Sequence, residues 1–201
     1  MCKTGCGAGR TVGAMDGHLL IGTAAAVTLK VVDGVGSLDA PTPCAGWDVR
    51  ALVNHLLHWG PALTAAAAKE ALDPGAEVDR TGGDWRALLR AQVEQTATAW
   101  GGPAAWEGVT RMGGPMELPA DLVGGMVLGE LVLHGWDLAR AAGLHPHWDD
   151  ALVLRVHDEV ARSADMGRQM GVYAAEVPVP ATAPPLARML GLSGRDPDWT
   201  P

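Results

Sequence analysis

Residues 129–140 read GELVLHGWDLAR, and the reading of this stretch decides the fold. It belongs to an apolar run that Pro119 and Asp121 open and Gly143 closes, the start and stop signals of a helix. The pattern predicts a helix over 119–142. At about 100° per residue, Val123, Met126, Val127, Glu130, His134, Leu138 and Ala141 share one face, within a band of roughly 120°. Glu130 and His134 fall in the middle of that band, about 40° apart. A carboxylate left alone on a core-facing surface is costly and tends to take up a proton. Two readings account for the pair. One is a hydrogen bond or ion pair between residues four apart. The other is a shared metal ion, which requires a further ligand from another helix.

Helical periodicity recurs on either side of this run. Over about 16–35, Leu20, Ala24, Val27 and Val31 form a stripe. Asp48 is placed to cap a second helix over about 48–69, and Pro61 inside it is expected to kink or split it. A third helix is predicted over 85–100. Another is predicted over 149–167, with Leu152, Val156, Val160 and Ser163 on one stripe. Residues 101–118 hold seven glycines and prolines and two short strand candidates, EGVTRM and MEL. The proline-rich tail carries one helical piece near 185–191. Its Leu186, Met189, Leu190 and Trp199 need cover, so it should wrap over the rest. The expected fold class is all-α, a helical bundle formed by 16–201 as a single domain, preceded by a flexible glycine-rich extension over 1–15.

Composition narrows the function. Hydrophobic residues make up 48% and charged residues 19%, a globular balance. The formal net charge is −8 and no lysine or arginine cluster occurs, which argues against nucleic acid or an anionic membrane as a partner. The apolar stretch LLIGTAAAVTL, 19–29, is too short to span a bilayer. Asp16 and His18 before it, and Lys30 and Asp33 after it, argue against a signal-peptide core. The three cysteines, Cys2, Cys6 and Cys44, make no disulfide framework and point to a reducing cytoplasm. Phosphate loop, dinucleotide fingerprint and G-x-S-x-G elbow are all missing.

A third metal ligand would come from one of the remaining histidines. The segment VNHLLHWG offers His55 and His58, and wheel geometry modestly prefers His55. His18 begins the first helix, His145 and His147 flank a proline, and His157 lies beside Asp158 on an exposed face; each is a weaker choice. Cys2 and Cys6, as C-x₃-C without a second pair, are a weak zinc signal. Cys44 precedes a helix start, where its thiol is either activated or simply a small packing group. Asp137, one turn after His134, either accepts a hydrogen bond from it or forms a surface ion pair with Arg140 or Arg90, the simpler expectation.

Three stretches together resemble a known family. TPCAGWDVRALVNHLLHW, GELVLHGWDLARAAG and the ending VPVPATAPPLARMLGLSGRDPDWTP look like the DinB-like metal-binding bundles. More narrowly, they are similar to the actinobacterial branch related to the N-terminal domain of mycothiol-dependent maleylpyruvate isomerase. The resemblance implies an up-and-down four-helix core with a longer second connection, an extra helix, the proline-rich tail, and often a homodimer. It implies metal ligands at His55, Glu130 and His134, and so settles His55 over His58. Three protein ligands leave an open position, as in catalytic zinc sites. Zinc is the first expectation; nickel, iron and manganese also suit such a set. The implied function is a thiol (mycothiol-type) transferase or isomerase acting on a small electrophile. The alternative is a non-catalytic metal-binding protein of stress response or metal handling. A second domain like that of the isomerase, which contributes to its active site, does not fit in 201 residues, which argues against maleylpyruvate isomerisation itself.

Overall fold

The computed structural model describes residues 16–201; the 1–15 extension, with Cys2 and Cys6, lies outside the described residues. Six helices form the described part: α1 (Gly17–Gly34), α2 (Val49–Ala67), α3 (Trp85–Trp100), α4 (Ala120–Ala141), α5 (Asp150–Gln169) and α6 (Pro185–Leu192). Local chemistry sets their starts. Asp48 Oδ1 accepts the Ala51 N–H at 2.8 Å, and Asp84 and Asp149 cap α3 and α5 in the same way. Gly143, at φ +68°, closes α4 with two bonds back into the helix, Gly143 N–H to Arg140 O and Leu144 N–H to Ala139 O. The strand candidates pair as an antiparallel hairpin, β1 (Val109–Arg111) with β2 (Glu117–Pro119), Thr110 opposite Leu118.

Around the core the helices stand in the order α1, α3, α2, α4, so α1 and α2 face each other diagonally while α2 and α4 are neighbours. This order places His55 of α2 next to Glu130 and His134 of α4. α5 packs on α4, and α6 packs on α5. The shared core includes Leu20, Leu52, Leu89, Trp100, Leu128, Leu152 and Leu190, all buried. The stretch LLIGTAAAVTL lies inside α1, with Leu20, Ile21, Ala24 and Ala25 buried in that core.

Two expectations need correction. Pro61 does not split α2, which continues through it as one helix, because Leu57, Gly60, Leu63 and Ala66 are buried on either side of it and packing holds the turn together. Met126, placed on the inward face by the wheel, is 39% exposed, whereas Leu131, Val132, Leu133, Trp136 and Asp137 off that face are buried. α4 is enclosed on almost every side, so a single apolar stripe does not describe it. By length and composition it would also cross a bilayer, yet 72% of its most apolar window is buried inside the bundle.

The central turn of α4 is not α-helical. Glu130–His134 forms a π turn, with Gly129 before it and Gly135 after it. The buried Thr28 hydroxyl of α1 reaches across to the Leu131 carbonyl at 2.9 Å. Gly135 is needed for this approach: a Cβ there would lie 2.9 Å from Trp148 and 3.1 Å from Thr28 Oγ1. π turns inside α-helices are rare and concentrate at functional sites. This one carries the two polar residues that opened the sequence analysis.

Candidate metal centre

His55 comes from the middle of α2, and Glu130 and His134 from the two ends of the π turn. Glu130 Oε2 lies 3.1 Å from His55 Nε2 and 3.6 Å from His134 Nε2. Ligand atoms of the three residues all fall within 4.8 Å of one another. Two donors held tetrahedrally at zinc-ligand distances lie about 3.3 Å apart. The observed 3.1 and 3.6 Å bracket that value, so the residues present fit a small divalent cation.

The electrostatics of the cluster follow from burial and pairing. Burial pushes the Glu130 carboxyl up, but His134 and the hydrogen bond from His55 outweigh it and hold it at about 2. For His55, burial acts downward and the Glu130 contact acts upward more strongly, leaving the imidazole above its ordinary value.

The other nitrogen of His134 is also engaged. Nδ1 lies 3.0 Å from Asp137 Oδ2. Asp137 is fully buried, so the surface pairing with Arg140 or Arg90 does not form. Arg90 pairs with Asp33, and Arg140 donates to the Trp199 carbonyl. The partner of Asp137 is instead Arg195 of the tail, whose Nε and Nη2 donate to its two oxygens at 2.8 and 2.7 Å. Burial pushes the Asp137 carboxyl up, and Arg195 with His134 pulls it below its ordinary value.

The loop before α2 forms one wall. The Thr42 hydroxyl donates to Trp47 O at 2.8 Å and receives Cys44 N–H at 3.2 Å, which folds TPCAGWD into a tight turn. Trp47 is thereby set parallel to the His134 ring, 6.1 Å between centroids, and 4.9 Å from that of His55. Cys44 has its sulfur among ligand atoms of His134 and Asp137, all within 4.8 Å. Its thiol is not activated by the helix start: burial, with the Asp137 charge, pushes it up to about 11. A small cavity of about 30 Å³ adjoins Glu130, walled by Leu56, Trp59, Val127 and Leu131. Gly113 of the hairpin loop rests against Trp59.

Among the other described histidines, His58 is buried against Trp59 with its Nδ1 unpartnered, and His145 contacts Arg140; neither joins the cluster. Sequence reasoning did not find Arg195 or assign Trp47 to the site. The SGR turn at the end of α6 was the available signal for the first. The tryptophan two residues before the start of α2, the helix that carries His55, was a weak signal for the second.

Fold and site together define a helical bundle with a His–Glu–His cluster between neighbouring helices and an ion-paired carboxylate behind it. The chain belongs to the family described as the mycothiol maleylpyruvate isomerase N-terminal domain, a DinB-like family whose model matches residues 21–139. It is similar to two curated proteins of Mycobacterium tuberculosis, the uncharacterized protein MT0763 (strain CDC 1551 / Oshkosh) and the uncharacterized protein Rv0738 (strain ATCC 25618 / H37Rv). Each is 27% identical over 162 residues, which is 79% of this chain and 85% of the relative. No solved structure matches it significantly.

Proposed function

We propose that the protein binds one divalent cation, zinc in the first place, on His55, Glu130 and His134, and uses it to act on a small electrophile with a low-molecular-weight thiol of the mycothiol type. The reaction class is thiol transfer or thiol-dependent isomerisation. The observation that carries this reading is the convergence of His55 Nε2, Glu130 Oε2 and His134 Nε2 from neighbouring helices, with His134 Nδ1 occupied by Asp137. A cation in such a site stabilises the thiolate, the nucleophilic form of a thiol.

The chain's own residues supply the rest. Asp137 accepts the Nδ1 proton of His134 and leaves the Nε2 lone pair facing the cluster. Glu130 contributes an anionic ligand. Trp47 shields the two rings on one side. The apolar walls of Leu56, Trp59, Val127 and Leu131 beside Glu130 would take the carbon part of an electrophile. Membership of a mycothiol-related family supports the choice of thiol.

Elemental analysis of untagged protein tests the first half of the proposal, with about one zinc or related divalent ion per chain expected. His134→Ala is expected to lose both the metal and thiol conjugation to a generic electrophile. Conjugation at the normal rate by that variant would overturn the mechanism. Bound metal with no turnover of any thiol would instead favour a non-catalytic metal-binding role.

A further inference from the structure

Beyond the cluster, the C-terminal tail ends in a contact that a mere surface wrap would not need. α6 stops at Leu192, and Ser193 and Gly194 turn the chain back. Gly194 N–H bonds Gly191 O at 3.0 Å and Arg195 N–H bonds Leu190 O at 2.9 Å, a Schellman turn. Gly194 has φ +82°, and a Cβ there would sit 2.7 Å from that of Ala174. Only glycine makes this turn, and the turn aims Arg195 inward. Arg195 is 6% exposed, although a guanidinium is among the least readily buried groups.

Its donors are committed. Nε and Nη2 grip the two oxygens of Asp137 at 2.8 and 2.7 Å, and Nη1 lies 3.3 Å from Ser193 Oγ. Asp137 Oδ2 in turn lies 3.0 Å from His134 Nδ1. Arg195 Nη2 also lies 3.5 Å from His134 Nδ1, but its short bonds are to Asp137, so the main order runs Arg195, Asp137, His134, then the open side of the cluster. Without Arg195 the buried carboxylate would lose two charge-assisted bonds and its orientation, and the His134 ring would lose its fixed partner.

We infer that Arg195 is a positioning residue for the cluster, through which the C-terminal tail sets His134 and so the strength of metal binding. This rests on the metal-site reading above and names a part of it that lies 61 residues from His134 in the chain. The tail is then a component of the centre, and a ligand or substitution that loosens it would weaken binding of the cation.

The test uses the full chain with Arg195→Met, Arg195→Lys, Asp137→Asn and the double variant. Zinc affinity is read by competition with a chromophoric chelator. Partners of this type to a metal-bound histidine change affinity by about 10–100-fold when removed. Arg195→Met is expected to weaken zinc binding by that factor. Arg195→Lys, with the charge but not the two-donor geometry, is expected to recover part of the loss. The double variant should bind no more weakly than Asp137→Asn alone, since Arg195 acts through Asp137. In the metal-free protein, long-range ¹H–¹⁵N correlation spectra of the histidine rings should show the Nδ1–H tautomer of His134 in the wild type and lose that preference in Arg195→Met. If Arg195→Met does not fold, Arg195→Lys carries the same two readouts. Unchanged zinc affinity together with an unchanged tautomer would overturn the inference. A wild-type protein that binds no zinc would instead overturn the metal reading, and the tautomer would still decide the role of Arg195.

Discussion

Replacing Glu130 with glutamine keeps the shape of the cluster and removes its charge. In the metal-free protein the Glu130 carboxyl is held at about 2, against an ordinary value of 4.5. At about 1.4 kcal/mol for each tenfold change in proton affinity, that difference is worth about 3 kcal/mol. The side chain keeps 28% of its exposure, and solvent screening brings the expected loss to about 2–3 kcal/mol. The pH dependence has a definite sign. Glu130 is depressed, so its contribution is complete above 4.5 and is lost as pH falls toward about 2. His55 is raised, so its contribution is complete below 6.5 and is lost as pH climbs past its raised value. The ion pair therefore stabilises most between about pH 4.5 and 6.5. Thermal melts of chelator-treated wild type and Glu130→Gln should differ by roughly 4–12 °C near pH 5.5. The gap should narrow toward pH 2–3 and toward pH 9. Added zinc should reverse the alkaline trend, because a metal takes the neutral imidazole. A gap that stays constant from about pH 3 to 9, or a Glu130→Gln protein more stable than wild type near pH 5.5, would refute this account of the cluster.

Two further outcomes follow from the surroundings of the cluster. Thr28→Val removes the buried hydroxyl that bonds the Leu131 carbonyl of the π turn at 2.9 Å, and should cost about 1–2 kcal/mol. Urea titration should show a lower midpoint with an unchanged slope; an unshifted midpoint would mean the bond is idle. Cys44, pushed up to about 11 from an ordinary 9.0, should carry about 100-fold less thiolate than a free thiol at neutral pH. In a Cys2→Ser, Cys6→Ser background its alkylation should be correspondingly slow at pH 7.5 and accelerate up to about pH 11, and a rate equal to free cysteine would contradict the burial argument.

Much of the architecture was legible because it is local. Pro119 and Gly143 bracket α4, Asp48 caps α2, and three turn-rich connections separate the main helices. Glu130 and His134 stood out because a polar pair on an apolar helix is conspicuous whatever surrounds it. The limits are equally physical. A wheel assumes one rotation per residue, and the π turn at Glu130–His134 breaks that assumption; only the flanking Gly129 and Gly135 hinted at it. Periodicity also says nothing of how many neighbours a helix has, so Met126 was placed inside and Asp137 outside. Arg195 lies 58 residues from Asp137, and no local pattern ties the two together. The path of the tail decides that contact, and the path depends on the Schellman turn after α6 and on the contact of Arg140 with Trp199.

Charge balance links the cluster to the kind of guest it would accept. With neutral imidazoles, Glu130 and Asp137 contribute −2 and Arg195 contributes +1, leaving a net −1 in a largely buried space. A surplus charge there is expensive. A proton on His55, beside the Glu130 carboxylate, acts against that surplus, which is the direction in which His55 is shifted. A divalent cation bound there, as proposed above, would displace that proton and leave +1. The guest that would restore neutrality is then a single anion, of which a thiolate is one. Arg195 matters in this count as much as in the geometry. Were it absent, the two carboxylates alone would balance the cation, and an anionic nucleophile would have nothing left to neutralise. On the metal reading proposed above, the buried arginine at the end of the tail would bias the open position toward a single anion such as a thiolate.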